Sequence, residues 1–124
     1  MINELAKQVH QNAKDHGFFD KEKNIGEMLC LIHSEVSEAL EADRKNRYAD
    51  IPENTLDSLI DFFNRETFQS EYKDLVKGTF EEEMADIVIR VMDLCAFKNI
   101  DLEKHIRAKM RYNSLREYKH GKKY

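Results

Sequence analysis

The sequence has few helix-breaking residues: one proline and four glycines in 124 residues, and it has no tryptophan. A turn-rich β fold needs such residues at regular intervals, so this scarcity argues against one. No stretch approaches the roughly 18 apolar residues of a membrane span, and the opening MINELAKQVHQNAKDHG lacks the apolar centre of a secretory signal. We therefore expect an all-α protein without a membrane partner, located in the cytoplasm.

Cysteine is scarce as well, with Cys30 and Cys95 each placed among apolar residues in helix-like segments. Neither has a second cysteine or a histidine at the spacing of a zinc site, and a disulfide is not needed in a chain of this type. Both are expected to be buried free thiols. The formal net charge of -4 gives no reason to expect a nucleic-acid partner.

Five segments have helical character, at about 2–14, 24–44, 51–76, 79–98 and 101–114. Asn24, Thr79 and Asp101 are the expected N-caps of three of them, while Gly17 and Gly78 end the segments before them. The third segment is the least regular and contains Pro52 near its start. We predict one domain over residues 1–124, a four- to five-helix bundle with a variable helical insert at about 48–77 and a basic tail at about 115–124.

Two helical segments each carry a pair of acidic residues three positions apart, Glu35 with Glu38 and Glu83 with Asp86. This spacing puts two carboxylates nearly one above the other on a helix. A helical chain with this acidic content is expected to contain about four or five such pairs by chance. Either pair alone is therefore most simply a solvated helix face.

Glu35 is the exception because of its position around the helix. At about 100° per residue, it falls inside the apolar arc that is defined by Leu31, Met28, Ile32, Val36 and Ala39. A carboxylate flanked by core residues must be neutral, be paired with a positive charge, or bind a cation. Glu83 lies at the border of the apolar arc of its own helix, and Asp86 lies further out.

If the two helices pack by their apolar faces, as many as four carboxylates meet. Two like charges about 4 Å apart repel by around 4 kcal/mol at an effective dielectric near 20, so a counter-charge is needed. An all-oxygen ligand set favours Mg²⁺, with Mn²⁺ as the alternative. A carboxylate-bridged di-iron centre requires Glu-x-x-His motifs, which neither helix has.

Magnesium held by carboxylates usually takes further ligands from water and from substrate phosphates. A carboxylate that is not fully used in coordination can orient or deprotonate an attacking water. We name Glu35 and Glu38 as the candidate catalytic residues, in addition to their candidate metal role. The C-terminal region supplies positive charge for a phosphate: Lys109, Asn113 and Arg116 share one face if the last helix extends that far. A solvated basic tail is the alternative interpretation.

The segments SEVSEALEA, EEEMADIVIRVMDL and KMRYNSLREYKHGKK, in this order and spacing, resemble the MazG-like all-α nucleoside triphosphate pyrophosphohydrolases. The segment NAKDHGFFDKEKNIGEMLCLI resembles that family's entry into its first metal-binding helix. The resemblance covers most of the chain outside about 48–77. It implies Mg²⁺-dependent hydrolysis of a nucleoside triphosphate to the monophosphate and pyrophosphate, for nucleotide-pool control or removal of aberrant nucleotides, by a homodimer or homotetramer.

Carried over by position, the resemblance assigns metal binding to Glu35, Glu38, Glu83 and Asp86. It assigns substrate contacts to Lys109, Asn113, Arg116, Tyr118 and Lys119. Phe18 or Phe19 is the candidate for stacking on the base. Apolar residues of the fourth segment, with Phe62, Phe63 and Phe68, are candidates for the interface between subunits.

Many relatives have a further glutamate at the position of Ser34. Its absence puts in doubt a full second metal site and the identity of the water-activating base. We do not expect Glu82 or Glu41 to compensate for it. The same absence favours the alternative function, a non-catalytic nucleotide-binding or helical regulatory module.

Overall fold

The computed structural model describes residues 1–61 and 64–124. They form six α-helices and a short 3-10 turn at Tyr118–Gly121, with no strand in this part of the chain. The helices are α1 (Ile2–Asp15), α2 (Ile25–Arg44), α3 (Glu53–Asp61), α4 (Arg65–Leu75), α5 (Phe80–Phe97) and α6 (Leu102–Ser114). The predicted all-α class is confirmed, and the irregular third segment consists of two helices. None of the described helices has the length and apolar character to cross a bilayer.

The helix ends follow from local hydrogen bonding. The Thr79 hydroxyl oxygen accepts the Glu82 backbone N–H at 3.3 Å, and the Asp101 carboxylate accepts that of Lys104 at 3.1 Å. Each cap satisfies a backbone donor that the first turn of a helix leaves without a partner. Gly78, just before α5, has a φ of +79°, which glycine adopts without strain. Both N-caps agree with the prediction.

The chain divides into two compact units. The first unit contains Met1–Asn24 and Val91–Tyr124, and therefore α1, the last part of α5 and α6. In it the starts of α1 and α6 are joined by hydrogen bonds. The Ile2 backbone N–H donates to Glu103 Oε1 at 2.8 Å, and Asn3 Nδ2 donates to Asp101 Oδ1 at 2.7 Å.

The second unit is Ile25–Arg90, with α2, α3, α4 and the first part of α5. Its buried apolar residues are Met28, Ala39, Ala42, Leu59 and Val76. The Phe80 backbone N–H donates to the Arg47 carbonyl oxygen at 2.8 Å, which ties the start of α5 to the chain just after α2.

Two expectations about burial are wrong, those for Val36 and Cys30. Val36, expected in the core because it lies in the apolar arc of its helix, is 48% exposed. On α5, Met84 and Val88 are 44% and 52% exposed. The reason is that the described residues of one chain cover only part of the apolar surface of α2 and α5. Cys30 is exposed and Cys95 is half-buried, both as free thiols, so the expected burial is wrong for Cys30 and is found only in part for Cys95.

The predicted interface cluster is only partly described. Phe68 is half-buried, and its ring lies 5.7 Å from that of Tyr72. Phe62 and Phe63 lie outside the described residues.

Candidate metal centre

Glu35 lies on the buried side of α2 and is only 7% exposed. Arg90 Nε, on α5, donates a hydrogen bond to Glu35 Oε1 at 2.8 Å. Burial raises the pKa of this carboxyl group, but hydrogen bonding with Arg90 and with Glu38, together with the charge of Arg90, outweighs it, and the pKa of Glu35 is lowered. Of the three states open to a buried carboxylate, Glu35 thus adopts the ion-paired one.

Arg90 is absent from the sequence-based candidates. It follows Glu83 by seven residues and Asp86 by four, so helical spacing places all three on one face of α5. This spacing is the one sequence feature that could have identified Arg90 as part of the site. It does not show that Glu35 on α2 packs against this face of α5.

Three of the four predicted metal ligands come together. Glu35, Glu38 and Glu83 each offer a carboxylate oxygen, and these atoms lie within 4.8 Å of one another. Glu35 is buried from solvent, whereas Glu38 is exposed. The set therefore has one side inside the unit and one side open to a ligand.

The fourth predicted ligand belongs to an overlapping set. Oxygens of Glu82, Glu83 and Asp86 also lie within 4.8 Å of one another. Glu83 is common to both sets and links them. Asp86, half-buried, has its pKa raised by burial and by the nearby charges of Glu35 and Glu82.

Glu83 has a strongly raised pKa for a carboxyl group. It is 9% exposed, and burial, followed by the neighbouring Glu38 and Glu35, raises its pKa to about 7. Its Oε2 is buried and has no hydrogen-bond partner among the described residues. When Glu83 is protonated it can donate a hydrogen bond to a neighbouring carboxylate, and when it is ionised it needs a positive charge beside it.

This arrangement passes a chemical test for a hard divalent cation. Every ligand is a carboxylate oxygen, burial and then neighbouring acids raise the pKa values of Glu83 and Asp86, and one buried oxygen lacks a donor among the described residues. Oxygen ligands of this kind suit Mg²⁺ or Mn²⁺. Arg90 supplies only one positive charge to the group.

The two residues considered as replacements for the acid missing at Ser34 differ. Ser34 is exposed, and its hydroxyl donates to the Leu31 carbonyl oxygen at 2.7 Å. Glu41 forms an ion pair with Lys45 at 3.2 Å and belongs to neither carboxylate set. Glu82, in contrast, belongs to the second set.

The predicted phosphate-binding residues lie in the first unit. Lys109 Nζ is 4.8 Å from the centre of the Tyr112 ring, and the Arg116 guanidinium is 5.4 Å from the same ring. Helix α6 ends at Ser114, so Arg116 lies beyond it and the expected single helical face does not include it. Asn113 Oδ1 is buried and has no hydrogen-bond partner in the described part of the chain.

The remaining candidates, Tyr118 and Lys119, lie in the 3-10 turn after α6. Tyr118 is 89% exposed, and Lys119 Nζ is 5.8 Å from the centre of its ring. Lys119 has a φ of +54°, in the left-handed region. Both side chains are exposed to solvent. This exposure fits a ligand-binding role and fits a solvated tail equally well.

Phe18 and Phe19 have different surroundings. Phe18 is 63% exposed. Phe19 lines a cleft of about 490 Å³ in the first unit, with its ring 4.6 Å from that of His10 and 5.1 Å from that of Phe97. His10 Nδ1 is 2.8 Å from Asp93 Oδ1, which fixes the imidazole. Lysines also line the cleft: Lys14, Lys21 and Lys23.

Comparison of the chain with protein-family models, curated proteins and solved structures found no match.

Proposed function

We propose that this chain is a MazG-like nucleoside triphosphate pyrophosphohydrolase that uses Mg²⁺. The observation that carries the proposal is the group of carboxylates around the buried Glu83, one of whose oxygens has no donor among the described residues. A structural ion pair between Glu35 and Arg90 would not need three further acids beside it. Their mutual repulsion is tolerated where a divalent ion is to be bound.

The roles of the residues follow from their positions. Glu35, Glu38, Glu83 and Asp86 would hold the ion, which when bound would neutralise phosphate charge and make an attacking water more acidic. Glu38 is the exposed member, so it is the acid best placed to accept a proton from water. Arg90, 40% exposed at its side chain, can reach solvent and pair with a phosphate oxygen.

For the base, the surroundings favour Phe19 over Phe18. Phe19 and His10 form one wall of a cleft that is large enough for a heterocycle, and lysines lie at its rim. Aromatic walls bind bases by stacking, and lysines attract phosphate. Lys109, Asn113, Arg116, Tyr118 and Lys119 keep the substrate role that the resemblance assigns to them.

A homodimer or homotetramer is part of the proposal. Exposed apolar residues on α2 and α5 support it: Leu29, Leu31, Val36, Leu40, Met84, Val88 and Ile89 are each 39–52% exposed. Apolar side chains in this number are typical of helices that pack against another subunit.

The direct test is an assay with a panel of standard and modified nucleoside triphosphates in Mg²⁺, with the products separated. We expect a monophosphate and pyrophosphate from at least one member of the panel. Release of inorganic phosphate instead would reject the proposed reaction, and failure to hydrolyse any triphosphate would reject the enzyme.

The alternative is a nucleotide-binding module without turnover. One observation favours it: Arg90 already neutralises Glu35, so part of the carboxylate group is satisfied without a metal. Tight nucleotide binding by calorimetry, combined with no product from any triphosphate, would support this alternative.

A further inference from the structure

The imidazole of His10, on α1, is held in the cleft of the first unit by three neighbours. Its Nδ1 is 2.8 Å from Oδ1 of Asp93, on α5. The ring of Phe19 lies 4.6 Å away at an interplanar angle of 81°, and that of Phe97 lies 6.2 Å away. The side chains of His10 and Asp93 are only 17% and 19% exposed. Packing and a hydrogen bond therefore fix the orientation of the imidazole.

Asp93 also determines which nitrogen of His10 carries the proton. An ionised carboxylate only accepts hydrogen bonds, so Nδ1 is the N–H donor of this pair. In the neutral imidazole the other nitrogen, Nε2, then has no proton and is an acceptor. Nε2 has no hydrogen-bond partner among the residues that the structure describes, and His10 lines the cleft. The cleft therefore offers an acceptor to a ligand that brings a donor.

His10 is better able to select a ligand than the charged groups around it. Four charged residues at the rim of the cleft are exposed: Lys14, Asp20, Lys21 and Glu22. Water competes for every hydrogen bond that these residues make. Lys23 is half-buried, but an ammonium group can only donate. At His10, in contrast, a ligand without a donor would leave a shielded acceptor without a partner, which costs binding free energy.

We propose that His10 is the specificity-determining residue of this cleft and selects bases with an exocyclic amino group, cytosine and adenine, over uracil and hypoxanthine. Asp93 acts as its positioning residue. The amino N–H of the preferred bases donates to Nε2. Uracil and hypoxanthine have a carbonyl oxygen at that place, and two acceptors repel each other. This inference rests on the proposed function, because it names the class of base that the same cleft takes.

The test compares triphosphates that differ at this one group: cytidine with uridine triphosphate, and adenosine with inosine triphosphate. We measure kcat/KM for each in Mg²⁺, and by calorimetry the Kd of the matching monophosphates, which are not hydrolysed. Both are measured at about pH 8.5, where an imidazole is neutral. We expect the amino member of at least one pair to be preferred roughly tenfold, which corresponds to one net hydrogen bond.

Two variants separate hydrogen bonding from packing. Asp93→Asn should lower the preference at least about threefold, because an amide can donate to Nδ1 and so move the proton to Nε2. His10→Gln should abolish the preference, because its amide offers a donor and an acceptor together. Asp57→Asn is the matched control, since it makes the same acid-to-amide change at an exposed position on α3 and should keep the wild-type preference.

Hydrolysis without a preference in either pair, or with a preference for uracil or hypoxanthine, overturns the inference while the proposed function stands. A preference that persists in His10→Gln overturns it as well, and one unchanged in Asp93→Asn overturns the role of Asp93. If no triphosphate is hydrolysed, the proposed function fails, and equal Kd values of the paired monophosphates would then overturn this inference separately. Should Asp93→Asn fail to fold by circular dichroism, the wild type and His10→Gln still decide the outcome.

Discussion

Arg90 Nε donates to Glu35 Oε1 at 2.8 Å, so a guanidinium supplies the positive charge beside the most buried acid of the carboxylate group. This ion pair keeps Glu35 ionised in a place where burial disfavours charge. It leaves the other acids of the group, above all Glu83, without an equivalent partner. The pair therefore stabilises the fold, and under the proposed function it would compete with the cation for Glu35.

Arg90→Gln should destabilise the protein in EDTA by about 1–3 kcal/mol, because Glu35 stays buried without a full positive charge. Addition of Mg²⁺ should restore most of the lost stability, since the ion then pairs with Glu35. Thermal unfolding with and without Mg²⁺ measures both effects. Arg65→Gln, at an exposed position, is the control. Equal melting temperatures of Arg90→Gln and wild type in EDTA would show that the ion pair has no stabilising role.

The pKa of Glu83, raised from its ordinary 4.5 to about 7, makes metal-free stability depend on pH. Between these values the folded chain binds more protons than the unfolded chain. The contribution of Glu83 is therefore full below about pH 4.5 and is lost as the pH rises through about 7. The loss amounts to about 3 kcal/mol at most.

Unfolding in EDTA from pH 5 to 8 should show this fall, and Glu83→Gln should flatten it. Mg²⁺ affinity should change in the opposite direction, rising with pH until Glu83 is ionised above about 7. A wild-type curve that does not change when Glu83 is replaced would contradict the assignment of the buried proton.

Phe19→Leu should raise KM for the triphosphate by roughly fivefold and change kcat little, because it removes a stacking face from the cleft and keeps its apolar volume. Phe18→Leu is the matched control, because Phe18 is 63% exposed and not part of that cleft. Steady-state kinetics on both variants shows which of the two phenylalanines contacts the base. A larger effect on KM from Phe18→Leu would reverse the assignment.

Val88→Glu should shift the oligomer toward monomer, since a charge at this exposed apolar position on α5 would be buried in a subunit interface. Sedimentation velocity gives the mass of the species. Met110→Glu, at a position 65% exposed on α6, should leave it unchanged. A wild type that sediments as a monomer at micromolar concentration would reject the proposed assembly.

Local patterns predicted much of the fold. Thr79 and Asp101 cap their helices as expected, because a cap depends only on residues within one turn. The burial of Glu35 was predictable because a helical wheel identifies the apolar arc of a single helix. These properties need no knowledge of how one helix packs on another.

What the sequence could not show depends on packing between helices. The pairing of Arg90 with Glu35 requires that α2 and α5 present them to each other, and the hydrogen bond that the Tyr72 hydroxyl donates to Glu82 requires the path of α4. Val36 is exposed although it lies in the apolar arc of α2. The reason is the same, since a helical wheel does not show which residues of the arc are covered by other helices of the chain. For the candidate site, the sequence identified the acids Glu35, Glu38, Glu83 and Asp86. It did not identify Arg90 and Tyr72, which donate hydrogen bonds to Glu35 and to Glu82.

The most direct test of the central claim compares Glu35→Gln with Glu41→Gln, an acid-to-amide change at a position on α2 that belongs to neither carboxylate set. The rate of pyrophosphate release from the best triphosphate in Mg²⁺ is measured for both and for the wild type. We predict a loss of at least about a hundredfold for Glu35→Gln and a nearly unchanged rate for Glu41→Gln. A Glu35→Gln enzyme that is folded and as fast as the wild type would contradict the claim that this carboxylate group is the catalytic centre.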